Sequence, residues 1–189
     1  GDWSSDVCSS DLEQRFGHDG GNLDMANKIL TEGKRIKNRQ KRSIYISAAR
    51  SFLFNLVCSA RVAVGNWHKA IEGDAFMLTG SHSFFVAKKI DEDILKRISD
   101  HDIAPSGPLW GRGQLATVSE AKALEENILS AYSPWCEGLE QLGLKQERRC
   151  LWLPVNDLSW NISKQNIELK FALPAGSYAT SVLREIMTS

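Results

Sequence analysis

The sequence predicts an α+β fold: a mostly helical domain carrying short β-hairpins, then antiparallel strands and a final helix. Three observations lead there. Apolar residues recur at three- and four-residue intervals through 22–64 and 118–142. Between those stretches, turn residues bracket two short β-prone runs. Toward the end, Ile167, Leu169 and Phe171 alternate with Glu168, Lys170 and Ala172, the period of a half-buried strand.

Taken in order, Asn22 is placed to cap a first helix that runs to Gly33, with Leu23, Ala26, Ile29 and Leu30 on one side. Gly33 stops it, because glycine adopts the left-handed conformation of a helix C-terminus without a Cβ clash. The run KRIKNRQKR (Lys34–Arg42) then forms a loop or an exposed helical edge. Either Ser43 or Ser47 starts the central helix, which extends to about Val64 on an apolar stripe of Tyr45, Ala49, Phe52, Leu53, Leu56, Val57 and Ala60.

Gly73-Asp74 and Gly80-Ser81 are turns around β-prone runs at Ala75–Thr79 and Ser83–Val86. Asp91, Glu92 and Asp93 open a helix that ends near Ser99, since acids at an N-terminus complement the helix dipole. Ala104–Gly113, with two prolines and three glycines, is expected to be a loop. A helix from Val118 to Tyr132 follows, Pro134 breaks it, and a shorter helix spans Trp135–Leu142. Strands are expected at Arg149–Val155, Leu158–Ile162 and Gln165–Leu173, with turns at Asn156-Asp157 and Ser163-Lys164. Pro174-Ala175-Gly176 stops the last strand, and Ser177 caps a helix through Met187.

The 189 residues carry 23 basic and 23 acidic side chains, so net charge is silent about a polyanionic partner. Its distribution is not. Lys34–Arg42 holds six cations in nine positions and no acid, the density that phosphate binding needs. The four cysteines show no CxxC spacing and suggest no disulfide framework; Cys58, in an apolar run, reads as a small buried hydrophobe. The four histidines have no metal-ligand spacing, so no metal is expected. No run approaches the roughly eighteen consecutive apolar residues of a membrane span. No signal-peptide pattern precedes the domain, so a cytoplasmic setting without a membrane partner is expected.

Three blocks carry a family resemblance. They are EQRFG (Glu13–Gly17) with Gly20, Gly21 and Asn22; SAARSFLFN (Ser47–Asn55) behind the basic run; and FALPAGSYATSVLRE (Phe171–Glu185). In this order and at these separations they resemble the TruD family of tRNA pseudouridine synthases. Residues 1–12, GDWSSDVCSSDL, are unlike that family and resemble a translated sequencing adapter; they are read as non-native.

The resemblance implies isomerisation of uridine-13 of tRNA to pseudouridine, with no cofactor and no metal. It implies that 13–153 is the family's insertion domain and 154–189 the C-terminal part of an incomplete catalytic domain. In that family the nucleophilic aspartate lies upstream of EQRFG, and this chain offers no matching position. No residue here is therefore assigned catalysis, and the chain alone is expected to be inactive. Asp19 and Asp24 are explained by a glycine-rich turn and a first helical turn. Tyr178, at the aromatic position of the GS(F/Y)AT element, is expected to stack on the flipped uridine, with Gly176 allowing close backbone approach. Lys34, Arg35, Lys37, Arg39, Lys41, Arg42 and Arg15 are expected to contact the tRNA backbone, positioning it without reading bases. A different class competes: a non-catalytic RNA-binding module.

Overall fold

The computed structural model describes residues 15–152, 155–164 and 166–173, together with positions 179, 182 and 183. The chain divides into two compact units, 1–151 and 152–189. Tyr178, Gly176 and most of the expected 177–187 helix lie outside the described residues.

In the first unit, helix α1 spans Gly21–Glu32 and stops at Gly33 (φ 66°). Asn22 is not its cap. Its side-chain amide instead donates to the Arg15 carbonyl at 2.9 Å, tying α1 to the EQRFG segment. Helix α2 spans Arg39–Ala63 and starts earlier than either serine. Asn38, inside the basic run, is its cap: the side chain accepts from the Lys41 amide at 2.9 Å. The basic run is thus both loop and helix, with Lys34, Arg35 and Lys37 in the linker and Arg39, Lys41 and Arg42 in the opening turn.

By length and composition α2 passes for a membrane span, holding an 18-residue window of mean hydropathy 1.2. Its packing is that of a core helix. Ala49, Leu53 and Val57 are buried with Ala26 and Leu30 of α1, and with Leu129, Cys136 and Leu139 from farther along the chain. Arg61, on the same helix, is buried against Asp74 at 2.9 Å, and the Asp74 carboxylate also accepts from the Ile71 amide.

Strand β1 (Ala75–Leu78) forms a hairpin with β2 (Phe84–Val86), and helix α3 (Glu92–Ser99) follows under an Asp91 cap. The expected loop at 104–113 is in fact strand β3 (Ile103–Leu109), inside a four-stranded antiparallel sheet ordered β2-β1-β3-β4, where β4 is Glu147–Cys150. Two prolines argue against an interior strand, because each lacks a ladder donor. Tertiary structure removes both objections. The Pro105 carbonyl accepts from the Leu151 amide, and the Leu151 carbonyl that Pro105 cannot serve takes the Cys58 thiol instead (3.6 Å). Pro108 lies beyond the last register pair with β1, so it needs to satisfy only one neighbour. Cys58 is half-buried and has this specific partner, which goes beyond its expected role as a small buried hydrophobe. Phe76, Ala87, Ile94 and Ile103 form a second core between the sheet and α3.

The expected 118–132 helix ends sooner. Helix α4 covers Ser119–Leu129, a 3-10 turn covers Ser130–Tyr132, and helix α5 covers Ser133–Gln141. Pro134 sits in the first turn of α5, where its missing amide hydrogen costs nothing. Beneath α4, Arg148 of β4 is buried in a closed polar network. It makes a two-pronged pair with Glu125 (2.7 and 3.1 Å) and also donates to the Ser106 hydroxyl and carbonyl, while Thr117 donates to Glu125.

In the second unit, β5 (Asn156–Ile162) and β6 (Ile167–Ala172) pair antiparallel, with Trp160 opposite Leu169 and Ile162 opposite Ile167. The turn expected at Asn156-Asp157 is a register irregularity within β5, with Asp157 at φ 54°. Leu169 and Phe171 are half-buried as their alternation suggests, whereas Ile167 is exposed. The strand expected at Arg149–Val155 is shifted: β4 stops at Cys150 because its pairing with β3 stops there.

Candidate nucleic-acid interface

Two clefts flank the N-terminal turns of α2, and consecutive residues face them: Arg42 lines one, Ser43 the other. The larger is a groove of about 670 Å³ between the end of α1, the basic linker and the end of α5. Its apolar floor includes Ile29, Leu30, Ile36 and Leu142; its walls carry Lys34, Arg35, Lys37 and Arg42. None of its lining residues is acidic. Gly138 of α5 lies in the floor, where a Cβ would stand 2.6 Å from the Leu30 carbonyl oxygen. Glycine is what lets α5 approach α1 closely enough to shape this groove.

Of the sequence-predicted cations, Lys34, Arg35, Lys37 and Arg42 converge on the groove. Arg39 and Lys41 stand exposed on the same opening turn, where no acid is present. Three cations at the positive end of a helix dipole oppose the usual stabilising pattern. The opening turn accordingly concentrates positive field on one spot, which suits an oxyanion.

Arg15 lies elsewhere. Its guanidinium donates to Ser51 Oγ at 2.6 Å, and Phe16, next to it, packs edge-on against Phe52 at 6.4 Å between ring centroids. The EQRFG and SAARSFLFN segments therefore meet directly, although more than thirty positions separate them. Arg50 of the second segment points inward. Nε donates to the Trp110 carbonyl, Nη2 to the carbonyls of Leu109 and Lys145, and Nη1 pairs with Glu147 at 3.0 Å. It clamps α2 to the end of β3.

The smaller cleft, about 170 Å³, is lined by Ser43, Ser47, Ser51, Arg50 and Arg149 with apolar neighbours. Sequence reasoning passed over it. The signal was present, since three serines four apart share one face once α2 is known to begin at Arg39. Arg149 could be placed here only by the pairing of β4 with β3.

Neither aspartate near the start is held for chemistry. Asp19 is exposed beside His18, and Asp24 is exposed in the first turn of α1. Asp74 is buried, but its carboxylate serves Arg61 and the Ile71 amide, and it lines neither cleft. Among the described residues, no group of three His, Cys, Asp or Glu side chains is placed to hold a metal ion. Cys136 and Cys150 are not activated either. Burial, reinforced by Glu140, pushes Cys136 up to about 12, and burial also raises Cys150. Trp110 packs against the first core and donates to Glu140 at 3.0 Å, a packing role rather than a ligand stack.

Comparison with known proteins follows the same lines. A family model described as tRNA pseudouridine synthase D (TruD) matches residues 23–186. Proteins named tRNA pseudouridine synthase D are similar throughout: one from Nitrosococcus oceani is 50% identical over 176 residues, covering 92% of this chain and 49% of that protein. Its counterpart in Methylococcus capsulatus is 49% identical over 175 residues, again covering 92% of this chain and 49% of the relative. A crystal structure of a Methanosarcina mazei protein described as tRNA pseudouridine synthase D shares the fold (TM-score 0.61, 19% identity), covering 95% of this chain and 48% of that one. The chain spans about half the length of the curated relatives it matches.

Proposed function

We propose, from the premise that this chain belongs to the TruD family of tRNA pseudouridine synthases, that it is the tRNA-gripping portion of an enzyme that isomerises uridine-13 to pseudouridine. Residues 13–153 act as the insertion domain and 154–189 as the C-terminal part of the catalytic domain, a division that the compact unit ending at Leu151 supports. The setting is cytoplasmic, and neither metal nor organic cofactor takes part. Tyr178 and Gly176 belong to the uridine pocket by their place in the family's motif. The 189 residues alone bind tRNA without turning it over, because they offer no position that matches the family's nucleophilic aspartate.

One observation carries the binding half of this reading: a groove walled by Lys34, Arg35, Lys37 and Arg42 with no acid in its lining. Each neutralised phosphate contributes roughly 0.7–0.9 to the slope of log K against log salt. Replacing these four cations with Gln should therefore lower the slope by roughly 3 on an unmodified tRNA transcript if each meets one phosphate. An unchanged slope would sink the groove as the interface. The catalytic half is read separately. Carbodiimide mapping of tRNA incubated with the 189-residue chain should show no pseudouridine above a protein-free control, and turnover would overturn the claim of inactivity.

A further inference from the structure

We infer that the loop after α2, residues 64–69, is a stacking platform for one unpaired base of the bound RNA, with Trp67 beneath the base and Lys69 at the adjoining phosphate. This rests on the RNA-binding reading but uses residues at the opposite end of α2 from the basic groove. The loop displays large apolar groups to solvent: Val64 is 68% exposed and Trp67 36%. His68 is exposed as well, and its ring stands edge-on to the indole at 5.0 Å between centroids. Trp67 belongs to neither hydrophobic core. The backbone beneath it is held firmly all the same. Arg61, only 2% exposed, donates through Nη2 to the Asn66 and Lys69 carbonyls at 3.0 and 2.8 Å, while Nη1 holds Asp74. The Asn66 amide donates back to the Arg61 carbonyl, and the Lys69 amide to the Asn66 carbonyl. Buried partners thus fix the loop and leave its aromatic side chains outside. A platform ordered in advance loses little entropy when a ligand lands on it.

Charge favours a nucleic acid over an apolar protein partner. Between Gly33 and Glu72 the chain carries nine Lys and Arg and no acid, and Glu72 comes only after the loop. Arg50 and Arg61 turn inward to Glu147 and Asp74. The other seven stand at the two ends of α2: six in the basic run, and Lys69, exposed, in this loop. An exposed indole next to a cation matches single-stranded RNA, whose bases stack on aromatic rings while the backbone follows positive charge. Every base has a π-face, so the contact selects an unstacked base rather than a particular one. Paired bases are stacked on one another, which leaves loops, bulges and ends as its targets. The length of α2 sets the geometry. Its 25 residues separate the groove from the platform by about 37 Å, so one RNA held at both must reach that far along the helix.

The test uses the 189-residue chain and the same tRNA transcript, with fluorescence anisotropy across a salt series. Stacking releases no counterions, so it is separable from phosphate contact. W67A and W67L should each weaken tRNA binding by roughly 5- to 150-fold, the factor for one stacked base, and leave the salt slope unchanged. W67F keeps an aromatic face and should stay within about threefold of the wild type, which separates stacking from mere apolar bulk. K69Q should lower the slope by roughly 0.7–0.9. On a fully paired RNA duplex, W67L should bind as the wild type does. The platform is refuted if W67A and W67L bind the transcript like the wild type, or if W67L weakens duplex binding equally. In either case the fourfold groove variant still decides the groove. If W67L loses affinity while the groove variant keeps its slope, the platform stands and the groove falls; if the wild-type chain does not bind the transcript, both fall.

Discussion

Removing one partner of the Arg148–Glu125 pair should be far more damaging than removing both. The two side chains are 3% and 3% exposed and share two hydrogen bonds, at 2.7 and 3.1 Å. E125A leaves the Arg148 charge with only Ser106 as a partner and strands the Thr117 hydroxyl. Breaking a buried pair from one side costs about 3–5 kcal/mol, because a charge stays desolvated without its counter-ion. The Thr117 hydroxyl adds about 1 kcal/mol of unmet hydrogen bonding. Against a typical total stability of about 5–15 kcal/mol, that is a large fraction. The double variant E125L/R148M removes both charges and refills the space with apolar atoms, so it should cost clearly less than E125A alone. Urea unfolding followed by circular dichroism, run as a double-mutant cycle with the singles E125L and R148M, measures the difference. Additive losses, with the double variant about as unstable as the two singles summed, would refute the reasoning.

Two further outcomes follow from the same packing. G138A tests opposed effects, since alanine in a helix gains about 1 kcal/mol over glycine in propensity. The new Cβ, however, stands 2.6, 2.8 and 2.9 Å from Leu30 O, Cβ and Cα, none of which belongs to a flexible side-chain end. Overpacking of about 1–3 kcal/mol should win, with weaker tRNA binding as α5 is pushed off α1; a more stable variant in the same urea assay contradicts this close approach. Cys136, at about 12 against an ordinary 9.0, keeps its proton in the fold at pH values where the unfolded chain has lost it. Its contribution to stability is therefore whole below about pH 9 and declines from there toward pH 12, by at most about 1.4 kcal/mol per unit. Site-resolved labelling at pH 8 should find Cys136 reacting roughly a thousandfold slower than an ordinary thiol, and labelling at an ordinary rate contradicts the burial.

Much of this architecture was legible in the residues. The 3.6-residue rhythm marked α1, α2 and α4, the turn glycines bracketed β1 and β2, and alternation marked β6, because each signal is local and repeats along the chain. The ordered motif blocks placed the chain in its family. The acid-free basic run is local in sequence as well, and four of its cations line the larger groove.

Other features depended on residues far apart in sequence. Asn22 and Asn38 both look like helix caps, and only the position of the Arg15 carbonyl separates their roles. Two prolines made 104–113 read as a loop, yet an interior strand forms because the Cys58 thiol and the end of β1 absorb the missing donors. Arg50 finds three carbonyls and Glu147 as partners, all of them more than fifty positions away in sequence. The sequence by itself determined the helices, the first hairpin, β6 and the family they serve, since periodicity and motif order are written along one dimension. Tertiary structure alone decided that Arg15, Ser51 and Arg149 converge, because that depends on how α2 packs against β3 and how β3 pairs with β4.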